Sequence, residues 1–309
     1  MCLVSADIKA SPQRQGARAD SVIMVGEDRP VDINARNLSV VEPHLATDRS
    51  DVNHLLAGAI LVSNMDDPRD PKFVSRSVCA ALSSFDGGKT WSRHDSPHRG
   101  CGDPWVVVLP DGRALFVGLV GSELVAFRST DGGKTWNDKP VSFGRAHDHG
   151  TAGIDATSGR FGGSAYVVSH QTTRDTAGIS RDAVFVARSS DGGATFGEPI
   201  RIIASNLPTY ADGPVTLSDG ALVVPFLNFN RKSATERSDL VWTLLSSNGG
   251  RTFSVPRYVG DCSGNWGQLA VDESTGPFQD RLYWVCWTTP IATSSCPVRW
   301  IVAKAGQIP

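Results

Sequence analysis

No stretch of 18 apolar residues occurs in the chain, and no long segment spaces its apolar residues at helical intervals. A membrane-spanning helix and a helical bundle are therefore not expected. Charge of one sign is also scarce. Thirty Lys and Arg stand against 32 Asp and Glu, a net −2, which argues against the basic footprint of a nucleic-acid binder. The chain holds no G-x-S-x-G elbow, phosphate loop or dinucleotide fingerprint, and this removes the serine hydrolase and nucleotide-binding readings. Its six cysteines lack the paired spacing of a zinc site, and neither a metal nor a cofactor is expected. Cys79 with Cys101, and Cys286 with Cys296 across a hairpin, are candidate bridges; buried free thiols are the alternative. Only Cys2-Leu3-Val4 precedes a polar N-terminal stretch, too little for a secretory signal. Residues 1–20 read as a disordered segment and 21–309 as one all-β domain.

What is present is repetition. Ser84-Phe85-Asp86-Gly87-Gly88-Lys89-Thr90-Trp91 returns as Ser129-Thr130-Asp131-Gly132-Gly133-Lys134-Thr135-Trp136 and as Ser189-Ser190-Asp191-Gly192-Gly193-Ala194-Thr195-Phe196. A weaker copy is Ser246-Ser247-Asn248-Gly249-Gly250-Arg251-Thr252-Phe253. The Asp or Asn positions lie 45, 60 and 57 residues apart, so the chain is an array of similar units with insertions in their loops. Each copy follows a strand-like run such as Glu123-Leu124-Val125-Ala126-Phe127 or Leu240-Val241-Trp242-Thr243-Leu244-Leu245. The motif thus occupies a turn. Asp accepts backbone N–H bonds across it, the glycines supply positive φ, and the Thr-aromatic pair is expected to re-enter a strand.

These residues match the S-x-D-x-G-x-T-aromatic Asp-box, or BNR repeat, and the chain resembles the Asp-box β-propellers of the sialidase superfamily. The resemblance implies an all-β fold of four-stranded antiparallel blades. It also implies that Asp86, Asp131, Asp191 and Asn248 are scaffold, placed in the turn between the third and fourth strands of a blade and away from substrate. Asp-box relatives are often exported, so an extracellular or periplasmic location is implied although no signal is visible.

A second repeat aligns Gly150–Phe161 and the following Tyr166-Val167-Val168 on Gly267–Phe278 and Tyr283-Trp284-Val285. A shorter pair begins at Asp103 and Asp212. Each reads as a hairpin, which together with a third strand, a box and a fourth strand makes a blade. First strands starting near Glu42, Asp103, Gly150, Asp212 and Gly267 give five blades, with six possible. The fifth stops after its third strand, Val298–Lys304. Its outer strand would come from Ser21-Val22-Ile23-Met24-Val25 or from Leu38-Ser39-Val40-Val41, which would hide the open edge; otherwise the chain is cut short.

In a propeller the segments just before the innermost strands converge on a central mouth, the default site. Here they are Glu42-Pro43-His44, Cys101-Gly102-Asp103-Pro104, His147-Asp148-His149, Tyr210-Ala211-Asp212-Gly213 and Gly264-Asn265-Trp266. Clustered carboxylates with aromatics beside them suit glycoside cleavage, which needs one neutral acid for the leaving oxygen and one group for the cationic sugar carbon. Asp103, Asp148 and Asp212 are the acid/base candidates and Tyr210 the candidate nucleophile. Glu42, His44, Arg145, His149, Asn265 and Trp266 are candidate substrate contacts. His147 and His149 flank Asp148 and could share a metal, although a hydrogen-bonding role is favoured and no third ligand is identifiable.

Sialidases hold the sugar carboxylate with three arginines, the first in an aromatic-Arg-Ile-Pro motif. This chain lacks that motif; Asp28-Arg29-Pro30-Val31 is the nearest text. Arg36, Arg145, Arg231 and Arg281 remain as anion contacts without a motif behind them. Two readings follow, with a glycan or glycoconjugate as partner and a monomer as the acting form. One is a sialidase-like glycoside hydrolase acting on terminal sugars. The other is a non-catalytic propeller that binds a glycan or protein, and a fragment of a longer enzyme is a third possibility.

Overall fold

The computed structural model describes residues 31, 38–63, 76–174, 176, 180–231, 237–262, 267–287 and 298–304. Every regular element named below is a strand. Blade 1 holds β1 (Leu38–Thr47), β2 (Leu55–Ser63), β3 (Val78–Ser84) and β4 (Ser92–Arg99) in that spatial order. Blade 2 holds β5 (Cys101–Val108), β6 (Ala114–Val120), β7 (Glu123–Ser129) and β8 (Val141–Arg145). Blade 3 holds β9 (His147–Ile154), β10 (Ala165–Arg174), β11 (Ser180–Ser189) and β12 (Ile200–Ser205). In blade 4 the inner strand is broken into β13 (Thr209–Ala211) and β14 (Val215–Thr216), both paired to β15 (Leu222–Arg231), with β16 (Arg237–Ser246) and β17 (Arg257–Cys262) outside. Blade 5 holds β18 (Gly267–Val271), β19 (Arg281–Trp287) and β20 (Val298–Lys304).

Period-two alternation makes these sheets a radial array. Successive residues of a strand point to opposite faces, so each inner blade feeds two cores. In β6, Ala114 and Phe116 join Leu56 and Ile60 of blade 1, while Leu115 and Val117 join Ala152 and Val167 of blade 3. In β15, Leu222 and Val224 pack with Tyr166 and Val184 of blade 3, while Val223 and Leu227 pack with Leu282 and Trp284 of blade 5. Shared cores therefore link blades 1–2, 2–3, 3–4 and 4–5. Arg49, after β1, pairs with Glu273, after β18, and so joins the first blade to the fifth.

The four boxes share one turn, and the later three also clamp neighbouring blades together. In the first, Asp86 Oδ1 accepts from Ser84 Oγ and from the N–H groups of Lys89 and Thr90, and Oδ2 accepts from the Thr90 hydroxyl at 2.6 Å. Asn248 keeps the same turn with one polarity reversed: its Oδ1 accepts from Ser246, Arg251 and Thr252, and its amide donates to Thr252 Oγ1. Each later turn then meets the preceding blade. His54 Nε2 lies 2.8 Å from Gly132 O. Arg113 and Arg128 donate to the carbonyls of Asp191 and Gly192. A Cβ on Gly249 would sit 2.6 Å from the Phe161 ring, so that close approach requires glycine.

Three expectations change. Leu38–Val41 belongs to β1, hydrogen-bonded to β2 as the innermost strand of blade 1, and is not the outer strand of blade 5. Ser21–Val25 lies outside the described residues, as does the segment 1–20. The aromatics of the later three boxes do not start strands: β8 begins at Val141, five residues past Trp136, because Trp136, Phe196 and Phe253 turn into the shared cores instead; in the first box β4 does start at Ser92, directly after Trp91. Cys286 bonds Cys262 rather than Cys296. The other bridge, Cys79–Cys101, forms as one of the two candidates. Both cross-link successive blades, 1 to 2 and 4 to 5, where divergent sheets share no backbone ladder.

Two outcomes are expected. Each bridge closes a loop of 22 or 24 residues, so the Cys79→Ser/Cys101→Ser pair should lower the unfolding free energy by about 3 kcal/mol in a urea titration. Hydrogen bonding by Thr90 holds the Asp86 carboxyl down at about 2. In Asp191 burial works upward but the Thr195 and Ser189 bonds outweigh it, again to about 2. Folded values depressed below an unfolded value of about 4 contribute stability above that pH and lose it as pH falls towards 2. Stability should therefore drop across that window, and Asp191→Asn, which can keep the turn as Asn248 does, should remove its own share of the pH dependence.

Candidate functional site

The mouth is built from one device repeated around the axis. Pairing between β1 and β2 slips by one residue between Val41 and His44; β5 slips between Gly102 and Trp105, and β9 between Asp148 and Thr151. In blade 4 the same extra residue falls between Ala211, opposite Phe226, and Val215, opposite Val223. Each slip is a β-bulge, which bends the strand and re-aims a side chain. Glu42, Asp103 and His149 occupy the bulges with φ of 50°, 48° and 48°. For residues other than glycine that region is sparsely populated and costs about 1–3 kcal/mol each. The candidate positions are thus inside the inner strands rather than just ahead of them, because the bulge lets the strand begin earlier and still turn these side chains inward.

Neighbouring bulges are bonded to one another. Asp103 N donates to Glu42 Oε2 at 3.1 Å, and His149 N donates to Asp103 Oδ2 at 3.1 Å. Two residues on, Val106 N donates to His44 Nδ1, and Trp105 Nε1 donates to Ala152 O at 2.8 Å. The His44 ring stacks on Trp105 at 3.8 Å. A Cβ on Gly213 would lie 2.6 Å from the far edge of that indole, so Trp105 reaches from blade 1 across to blade 4 and floors the mouth. Above it lies a cavity of about 370 Å³ lined by Glu42, Pro43, His44, Asp103, Pro104, Trp105, His149 and Gly150.

A second group stands beside this cavity. Tyr210 lies between His149 and His170, with ring centroids at 4.3 and 4.6 Å, and Phe229 closes its third side at 5.8 Å. His149 Nδ1 is 3.8 Å from Asp103 Oδ1, and His170 Nε2 is 3.8 Å from Asp148 Oδ2. Asp148 is open, its side chain 62% exposed. Asp212 is closed off at 5% and accepts the Gly213 N–H at 2.6 Å.

Burial and charge divide these groups. Burial raises Asp212 to about 6, against the charge of His149 and the Gly213 bond. Burial works upward on Asp103 also, but the hydrogen bonds and charge of His149 prevail and hold it below the usual carboxylate range. Glu42 is raised by burial and by the charge of Asp103. Burial lowers His44 to about 4 and lowers His170. Tyr210 is pushed well up by burial and then by Asp103, Asp148, Glu42 and Asp212, so its phenol stays protonated.

Asp103, Asp148, Asp212, Tyr210, Glu42, His44 and His149 therefore gather around one mouth. Arg145 stands apart on β8, paired with Glu123 in its own blade. Asn265 and Trp266 lie outside the described residues, as does Arg36, and Arg281 covers the Phe278 ring in the blade 5 hairpin. His147 does not share a metal with His149: Ser169 Oγ and Gln171 Nε2 take its two ring nitrogens. Among the described residues no three His, Cys, Asp or Glu side chains form a metal-binding group. Sequence reasoning stopped at the inner strands and missed His170 and the flooring role of Trp105. The Gly150–Val168 hairpin held a signal, since a strand running away from the mouth must be followed by one that returns to it.

The BNR/Asp-box repeat model matches residues 82–93 and 127–138. A xyloglucanase from Paenibacillus sp is 29% identical over 215 residues, which are 62% of this chain but 20% of that enzyme, so the chain spans about a fifth of its length. The Penicillium chrysogenum α-L-arabinanase complexed with arabinobiose superposes with a TM-score of 0.54 at 16% identity, covering 89% of this chain and 80% of its own. A Hadza microbial sialidase superposes with a TM-score of 0.54 at 15% identity, covering 88% and 54%. Glycan-processing enzymes of several kinds thus share this architecture, and the chain is a β-propeller built on BNR/Asp-box repeats.

Proposed function

We propose that the chain cleaves glycosidic bonds by hydrolysis at the central mouth, with Asp212 as general acid and Asp103 as the ionised partner. The observation that carries this is the opposite displacement of two carboxyls on either side of His149. One is kept neutral to about pH 6 by burial and the other is kept charged by hydrogen bonds, which is the division of labour that acid-assisted glycoside cleavage needs. Asp148, exposed and beside His170, is placed to hold or activate water. Tyr210, held protonated, serves as a hydrogen-bond donor to the sugar rather than as an anionic nucleophile. His44 and Trp105 supply the aromatic floor against which a sugar ring can pack.

The sialidase-like form of this reading asks for arginines around a sugar carboxylate, and none lines the described cavity. The Paenibacillus xyloglucanase and the arabinanase support the broader form, glycoside hydrolysis without a sialic acid requirement. The two inter-blade disulfides suit an exported protein, since such bonds persist in oxidising compartments.

A panel of aryl glycosides and polysaccharides, read by release of reducing ends, tests this. Activity should fall as pH rises through about 6, where Asp212 loses its proton. Asp212→Asn and Asp103→Asn should each lower kcat/KM by about 100-fold or more while the fold is kept, as judged by circular dichroism. Well-folded wild-type protein that cleaves no glycoside at any pH would remove the reading, and products carrying a new double bond would replace hydrolysis by elimination.

A further inference from the structure

The mouth carries more than a place for acid chemistry; its charge pattern selects among sugars, an inference that rests on the glycan-acting reading above. Glu42 and Asp103 line the cavity; Asp148 stands beside it, accepting the His149 N–H and facing His170, and Asp212 is buried next to it on the Gly213 N–H. Burial, and after it the charges of these four carboxyls, opposes the phenolate form of Tyr210. Whatever disfavours an anion at the Tyr210 oxygen also disfavours a carboxylate brought in on a sugar, because Coulomb repulsion acts on both alike.

No Lys or Arg lines the described cavity. Arg145 and Arg181, on strands whose ends lie at the mouth face, are held by Glu123 and by Asn206 Oδ1. His149 is shared between Asp103 and Asp212. The two carboxylates that line the cavity are tied to the backbone: Glu42 accepts the Asp103 N–H, Asp103 accepts the His149 N–H, and both sit on left-handed bulges.

We infer that the mouth selects sugar units without a carboxylate, that is, neutral glycans, and that Glu42 and Asp148 are the specificity-determining residues that turn acidic sugars away. The bulge geometry makes this a fixed property of the ring. Glu42→Gln preserves an amide oxygen for the Asp103 N–H and removes only the charge; Asp148→Asn does the same at an exposed position.

Calorimetry with the full chain at low salt checks the inference directly, using arabinobiose and a xyloglucan oligosaccharide as neutral probes and sialyllactose and a glucuronate disaccharide as acidic ones. Wild type should bind at least one neutral probe and neither acidic one at the same concentration. Each variant should raise affinity for an acidic probe by roughly fivefold, the effect of one nearby charge in a wet site, and this gain should shrink with added salt. The readout is the ratio of acidic to neutral affinity, which should rise in each variant. Equal wild-type binding of acidic and neutral probes would overturn selection, as would variants that leave acidic affinity unchanged. Neutral binding without bond cleavage would instead leave selection standing and remove hydrolysis. Cleavage of the sialoside would do the reverse, and failure to bind any of the four sugars would remove both.

Discussion

Neighbouring blades of this propeller share no backbone ladder, so something other than sheet hydrogen bonding must fix the innermost strands around the axis. Side-chain acceptors on one blade do this by taking peptide N–H groups of the next. Glu42 takes the Asp103 N–H, Asp103 takes the His149 N–H, and His44 takes the Val106 N–H. A buried peptide N–H left without a partner costs about 1–3 kcal/mol, and a bulge leaves one unpaired by construction. The strain of the bulge and the need of its neighbour are therefore resolved by the same bond. Removing the acceptor would leave a part-buried donor to find another partner.

That constraint explains why the mouth is acidic. An acceptor that must reach a neighbouring blade from a left-handed position is best met by a short polar side chain, and Asp and His are among the residues that tolerate the left-handed region. Once these carboxylates are fixed for structural reasons, their electrostatic consequences follow at the cavity. Asp103 stays charged because it is hydrogen-bonded, whereas Asp212, lacking a comparable set of donors and buried to 5%, is pushed to about 6. Scaffold and chemistry are here one arrangement viewed from two sides.

Much of this was legible in the chain. The boxes announce themselves by composition and spacing, since a turn that needs two positive-φ residues and a ring of short acceptors admits few sequences. Val298–Lys304 was readable as the third strand of blade 5 because its apolar pattern matches earlier copies, and it forms β20 over the same residues. The bulges were not legible. A one-residue slip is a relation between two strands, and Glu42-Pro43-His44 reads the same whether or not Gly58 has moved one place along. The Cys262–Cys286 bridge was hidden for a similar reason, because it joins blades rather than the arms of a hairpin. His170 faces the mouth only once the register of β10 against β9 is known.

The fate of aspartate in this chain shows why residue type alone could not separate scaffold from site. Asp86, in an exposed turn with the Thr90 hydroxyl and several N–H groups around it, falls to about 2 and can only be a charged clamp. Asp212, enclosed and given one backbone donor, rises to about 6 and can exchange a proton near neutrality. Both precede glycine in the sequence, and only the repeat around Asp86 and the blade entrance around Asp212 tell them apart there. What distinguishes them is the number of donors the fold supplies: a turn that closes on itself saturates its carboxylate, while Asp212, buried at the break between β13 and β14, accepts the Gly213 N–H.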